Sequence, residues 1–196
     1  MGEDTNEANE EDLAFMTRIA RGDEEAFRLL IEKHQHAVIG TIAKMTNNSP
    51  ETEDIAQQVF LRLWRAAPRY KATAKFTTYL FTITRNLVFN ETRKKTRRKE
   101  HSLEEQEDEW HQAIEDSSST RPDQVLSDRE LSEVVDQAIA QLPEKQRLAV
   151  ILRQQERMPY EEMADILDLS ISAIKSQLFR ARATLRETLK PYLQDE

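Results

Sequence analysis

Cysteine is missing from this 196-residue chain, so it builds no disulfide framework, no zinc ribbon and no thiol switch of its own. Glycine is almost as scarce: Gly2, Gly22 and Gly40 are the only three, and none sits in a cluster. Phosphate-cradling loops and dinucleotide turns need glycines close together so that backbone can approach the phosphates. That disfavours the familiar kinds of nucleotide-binding enzyme. Long apolar runs are lacking too, and nothing nears the roughly eighteen residues of a membrane span. The start, "MGEDTNEANEEDLAF", has no basic segment followed by an apolar one, so no secretory signal is expected. The expectation is a soluble, cytoplasmic chain without membrane insertion.

What is present is charge and helical periodicity. Charged residues make up 33% and hydrophobic ones 38%, with a formal net charge of −8. Phe27, Leu30, Ile31, Val38, Ile42 and Met45 recur mostly three, four or seven apart, the spacing of one buried helical face. Prolines punctuate such segments. Ser49–Pro50 reads as cap and first-turn residue of a helix that Pro68 ends near Ala66–Ala67; Pro143 and Pro159 bracket another, and Pro191 closes the last. Convincing strand alternation is absent, so the fold class is all-α.

The charge comes in blocks. Glu3 to Asp12 holds six acidic residues and no basic one, while Arg85 to Lys99 holds seven basic residues against Glu91 alone. Glu100 to Glu130 then holds eleven acidic residues against Arg121 and Arg129. Four parts follow: an acidic disordered tail over 1–9, a helical domain over 10–99, an acidic flexible linker over 100–124, and a second small helical domain over 125–192. In the free protein the acidic blocks are expected to cover the basic ones.

The last block is the most informative. "YEEMADILDLSISAIKSQLFRARATLR" reads as a helix, a short turn at Asp168–Ser170 and a second helix capped by Ser170. Ile171, Ile174, Leu178, Ala181 and Leu185 form one apolar stripe on that second helix. Ser176 and Arg180 point away from it, Lys175 and Gln177 flank them, and Phe179 lies off the stripe. From Ser170 to Arg186 there is no carboxylate. A donor-rich, positive face suits a recognition helix in a DNA major groove, where arginine grips guanine edges. A solvated basic face on a terminal helix is the plainer alternative.

These residues carry a family resemblance. "LPEKQRLAVILRQQERMPYEEMADILDLSISAIKSQLFRARATLRE" resembles the fourth conserved region of bacterial extracytoplasmic-function (ECF) sigma factors. "EDIAQQVFLRLWRAAPRY" followed by "FTTYLFTITRNLVFNETRKKTRR" resembles their second region. The resemblance implies a subunit that brings core RNA polymerase to promoters and helps open the DNA. It places Lys175, Ser176, Gln177, Phe179 and Arg180 on the minus-thirty-five element. It sets Asn86 where the family holds a flipped minus-ten base, and the helix "DIAQQVFLRLW" where it docks on the polymerase clamp. The implied partners are core polymerase, through its beta-prime clamp and beta flap, and promoter DNA, with an anti-sigma protein as a further candidate. This chain departs from the family at Gln58 (often acidic), Tyr79 (often tryptophan), Asp168 (usually glycine) and Pro159 (usually a Ser or Thr cap).

Helical spacing adds to this. Tyr79, Asn86, Asn90, Arg93 and Arg97 share one face beside a buried stripe of Phe76, Leu80, Ile83 and Leu87, an arrangement suited to an unpaired strand. Asp54, Gln58, Leu61 and Arg65 form a mixed face suited to a protein partner. Two other readings stand beside this one. A plain helix-turn-helix regulator would bind its operator without polymerase. An enzyme would rest on acidic clusters or on His34 and His36, but residues two apart on a helix diverge by about 160° and do not easily share a metal. Glu104, Glu105, Glu107 and Asp108 fall in the expected linker. No catalytic residue, metal or cofactor is expected.

Overall fold

The computed structural model describes residues 2–104 and 128–192. All regular structure among them is helical. The first part comprises α1 (Gly2–Ile19), α2 (Glu24–Thr46), α3 (Thr52–Ala66), a 3-10 turn (Ala67–Arg69) and α4 (Phe76–Glu104). The second comprises α5 (Asp128–Ala140), α6 (Glu144–Gln154), α7 (Tyr160–Leu167), α8 (Ile171–Leu189) and a 3-10 turn (Lys190–Tyr192). Proline sets several of these limits, because it lacks an N–H and fixes its own φ. Helix α3 ends before Pro68, α6 and α7 begin directly after Pro143 and Pro159, and α8 gives way before Pro191.

Three expectations change. Residues 2–9 are helical rather than a disordered tail, since α1 starts at Gly2, and Glu11 and Asp12 anchor the helix on Lys33 and His34 of α2. Helix α4 runs on to Glu104, past the expected boundary at 99. Ser49 and Pro50 precede α3 instead of capping it. Ser49 offers its carbonyl to the amide (3.0 Å) and hydroxyl (2.7 Å) of Thr52, so the helix begins two residues later than expected. Residues 105–124 of the expected linker, with Glu105, Glu107 and Asp108, lie outside the described residues.

Helices α1 to α4 enclose a core that includes Met16, Leu30, Ile42, Val59, Leu63 and Phe76. Helices α5 to α8 enclose another, built on Leu148, Leu152, Met163, Ile166, Ile174 and Leu178. The two are continuous, because α5 and α6 lie on α2 and α7 lies on α4. Burial of α4 on two sides explains why its core residues exceed the expected stripe. Phe81, Thr84, Val88 and Phe89 are buried with Phe76, Leu80 and Leu87, while Ile83 is only half-buried. Thr84 tolerates burial because its hydroxyl donates to the Leu80 carbonyl at 3.0 Å.

Polar contacts hold the two modules together. Arg147 of α6 donates to the Met45 carbonyl at the end of α2 (2.9 Å) and to the Leu142 carbonyl (3.0 Å). A cation is favoured there by the unsatisfied carbonyls of the α2 terminus. Lys44 pairs with Asp136 at 3.1 Å, and Lys75 with Glu162 at 2.6 Å. Thr78 also reaches Glu162, at 3.4 Å.

Candidate nucleic-acid interface

Helix α8 owes its position to local chemistry. Asp168 takes the left-handed conformation (φ 54°, ψ 55°) that lets the chain turn out of α7. Aspartate visits that region more readily than most residues, so the glycine usual at this point is dispensable. Ser170 then caps α8, its hydroxyl accepting from the Ala173 amide at 3.2 Å. Ile174, Leu178 and Ala181 anchor the helix on the core, with Leu185 half-buried and Ile171 more open.

The opposite face is free. Lys175, Ser176, Phe179 and Arg180 are exposed and Gln177 is half-buried. Phe179 is 74% exposed, a large apolar ring facing solvent on an otherwise polar helix, and apolar groups can meet thymine methyls in a major groove. Ser176 donates to the Ser172 carbonyl at 3.0 Å, which leaves its oxygen lone pairs outward. Lys175 lies 5.7 Å from the Tyr160 ring and Arg153 lies 5.1 Å from it. The tyrosine thus steadies the base of the cationic face.

In the first module, Asn86, Asn90, Arg93 and Arg97 are exposed on α4 and Tyr79 is half-buried. At 1.5 Å per residue the set from Tyr79 to Arg97 spans roughly 27 Å, the length of a run of strand rather than one base pocket. Its two ends differ. Tyr79 packs on Tyr70 with ring centroids 4.9 Å apart, and burial raises both phenols above their usual range. Both rings are half-buried, so part of each stays open to solvent. Asn90, Arg93 and Arg97 instead share a groove of about 380 Å³ with Gln58 and Arg62 of α3.

The expected docking face is also free: Asp54, Gln58, Leu61 and Arg65 are all exposed on α3. Leu61, at 49% exposure, borders a second groove of about 430 Å³ with Phe27, Ile31, Ile39, Ala56 and Phe60. Helix α3 thus presents polar residues toward the cationic groove and Leu61 toward the apolar one.

Several residues around these surfaces carried no sequence signal. Asn9, Asp12, Lys75 and Thr78 meet their partners across 21 to 87 positions of chain. Of the paired histidines, His34 is buried against Asp12 and His36 is exposed. Among the described residues no group of His, Cys, Asp and Glu could hold a metal, and no helix is long and apolar enough to cross a membrane. The acidic block does not cover the basic helix α8 where its contacts are seen: Glu11 and Asp12 bond Lys33 and His34 of α2.

The described residues thus form an all-helical class of protein with two packed modules, one a helix-turn-helix with an exposed cationic face and the other carrying a basic helix beside an exposed mixed face on α3. Comparison with known proteins sharpens that class. Residues 30–98 match the family model for sigma-70 region 2, and residues 132–185 match that for sigma-70 region 4. The RNA polymerase sigma-H factor of Pseudomonas aeruginosa is 33% identical over 95% of this chain and 97% of its own length. The ECF RNA polymerase sigma-E factor of Escherichia coli K12 is 29% identical over 93% and 96%. The fold is shared with CnrH, solved in complex with the cytosolic domain of CnrY (TM-score 0.65, 20% identity, 92% of this chain and 97% of that one). It is shared likewise with the sigma factor RpoE of Bartonella quintana, solved with the anti-sigma factor NepR (TM-score 0.64, 24% identity, 87% and 98%). The chain belongs to the ECF sigma factors of the sigma-70 family.

Proposed function

We propose that this chain binds core RNA polymerase and directs it to promoters, reading two DNA elements with its two modules. Lys175, Ser176, Gln177, Phe179 and Arg180 of α8 enter the major groove at the minus-thirty-five element. Tyr79, Asn86, Asn90, Arg93 and Arg97 of α4 follow the melted strand at the minus-ten element, the aromatic ring stacking and the arginines meeting phosphates. Asp54, Gln58, Leu61 and Arg65 of α3 dock on the beta-prime clamp, and the helix-turn-helix module also meets the beta flap. No catalytic step belongs to this chain; it acts as a recognition subunit in the cytoplasm. The observation that carries the reading is the pair of exposed basic helices, α4 and α8, each on a module matching a distinct sigma region.

Scale sets the mechanism. The two elements lie about 25 base pairs apart, roughly 85 Å at 3.4 Å per step. A packed body of this size is only about 40 Å across. The packed modules therefore cannot touch both elements, and α7 must leave α4 before the promoter is spanned. Breaking that packing releases Glu162 from Lys75 and Thr78, which frees the start of α4 for DNA. Polymerase docking supplies the energy and the spacing. CnrH and RpoE were both solved with partner proteins bound, and an anti-sigma protein that favours the packed form is a fitting regulator here.

In vitro transcription with core polymerase and a randomised promoter pool tests this reading. The expected result is initiation at start sites that share two upstream boxes and depend on this chain. Operator binding without polymerase, and no initiation with it, would favour the plain helix-turn-helix regulator instead.

A further inference from the structure

We propose that Asn9 and Asp12 of α1 are positioning residues for capture of the melted minus-ten strand, because they fix where α4 begins; this rests on the reading of α4 above. A helix leaves its first amides without intrahelical partners, and a side-chain acceptor just before the first turn normally meets one of them. The loop "YKATAKF" supplies none at that point, since Lys75 stands directly before Phe76 and carries no acceptor. The acceptor comes from 67 positions away: the Phe76 amide donates to Asn9 Oδ1 at 2.9 Å.

Asn9 can do this only if α1 is held in register. Asp12 holds it. That carboxylate is 2% exposed, and its Oδ1 accepts from Lys33 Nζ at 2.7 Å and from His34 Nε2 at 3.0 Å. Lys33 adds bonds to the Ala8 carbonyl (3.0 Å) and to Glu11 (2.7 Å). The anchor then continues through rings. His34 packs on Phe76 with centroids 5.2 Å apart, Phe76 meets Tyr70 edge-on at 6.5 Å, and Tyr70 packs on Tyr79. Between Tyr70 and Lys75 the loop is exposed from Lys71 to Ala74. Its downstream end is set by the Asn9 cap and its upstream end by Tyr70, both tied to α1. The N-terminal helix, which touches neither DNA element in the proposed reading, thus decides how the loop and Tyr79 are presented to an extruded base.

The test uses the holoenzyme assembled with Asn9→Ala, Asn9→Asp or no substitution. Three quantities are read on each: core affinity, affinity for duplex carrying the minus-thirty-five element, and affinity for the single non-template minus-ten strand recovered from the transcription selection. Asn9→Ala is expected to weaken strand binding by about fivefold, the loss of one cap, with core and duplex affinities unchanged. Asn9→Asp, whose carboxylate accepts the same amide, should restore it. Strand binding equal to the unsubstituted protein would overturn the proposal, as would an equal loss in all three affinities, which marks a merely structural residue. If the unsubstituted holoenzyme does not hold the strand, the assignment of α4 itself is wrong.

Discussion

The two modules each expose a basic helix, and they position it in opposite ways. In the second module everything that places α8 lies within a few residues of it: Asp168 makes the turn, Ser170 makes the cap, and the stripe from Ile174 to Ala181 seats the helix. In the first module α4 takes its cap from Asn9, its ring partner from Tyr70 and one wall of its groove from α3. On the proposed reading, a module that reads stable duplex can be a self-contained motif, whereas one that reads melted DNA must hold a loop in one shape, and that takes contacts from distant parts of the chain.

The contrast can be broken at the contact between the modules, where the largest effect is expected. Arg147→Ala removes charge-assisted bonds to the Met45 and Leu142 carbonyls, worth about 2–3 kcal/mol. Urea unfolding should show the loss, and fluorescence transfer between labelled modules should fall as they separate. Within the second module, Arg180→Ala should weaken minus-thirty-five duplex binding by about 1–3 kcal/mol and leave capture of the minus-ten strand unchanged. The log–log salt slope should flatten by about 0.9 if the residue also neutralises a phosphate. Ser170→Ala should cost about 1 kcal/mol in stability of the second module. Its effect should fall on duplex binding alone, the mirror image of Asn9→Ala.

The smallest expected effect is on pH. Burial raises the Glu144 carboxyl above its ordinary value, against the opposing pull of Arg93, Arg147 and Lys145 and a bond from Thr92. Burial likewise raises Glu156, against His34. Thr92 and Arg93 belong to α4 and His34 to α2, so both carboxyls face the other module. The folded protein then binds protons more readily than the unfolded chain. Stability should fall as pH rises from about 4.5 through the raised values, and a Glu144→Gln, Glu156→Gln double variant should flatten that dependence in urea unfolding.

How far the sequence could be read follows the same division. The stripe on α8 from Ile174 to Leu185, its cap, its outward residues and the breaks at Pro68, Pro143 and Pro159 depend on spacing and local chemistry, and the structure agrees with them; Ile171, expected in the stripe, is exposed because it stands in the first turn, at the edge of the core. The exposed face of α3 was legible for the same reason. Acidic composition argues for a solvated tail over 1–9, whereas residues 2–9 are helical and the anchoring contacts of Asn9 and Asp12 lie on other helices. On α4 a single expected stripe became two buried sides, since the second covering layer comes from α7, more than 80 residues on. Glu162 carries no signal in the sequence, because only the packed modules leave its side chain 14% exposed against Lys75.

In the proposed reading, recognition of both elements depends on separation of the modules on the promoter. The absence of cysteine makes it directly measurable, because a double variant with Arg21→Cys and Thr184→Cys, both at exposed positions, takes one label in each module and none elsewhere. The distance between labels should be short in the free chain and lengthen by tens of ångströms in the holoenzyme on promoter DNA. An unchanged distance in a complex that initiates transcription would contradict the account.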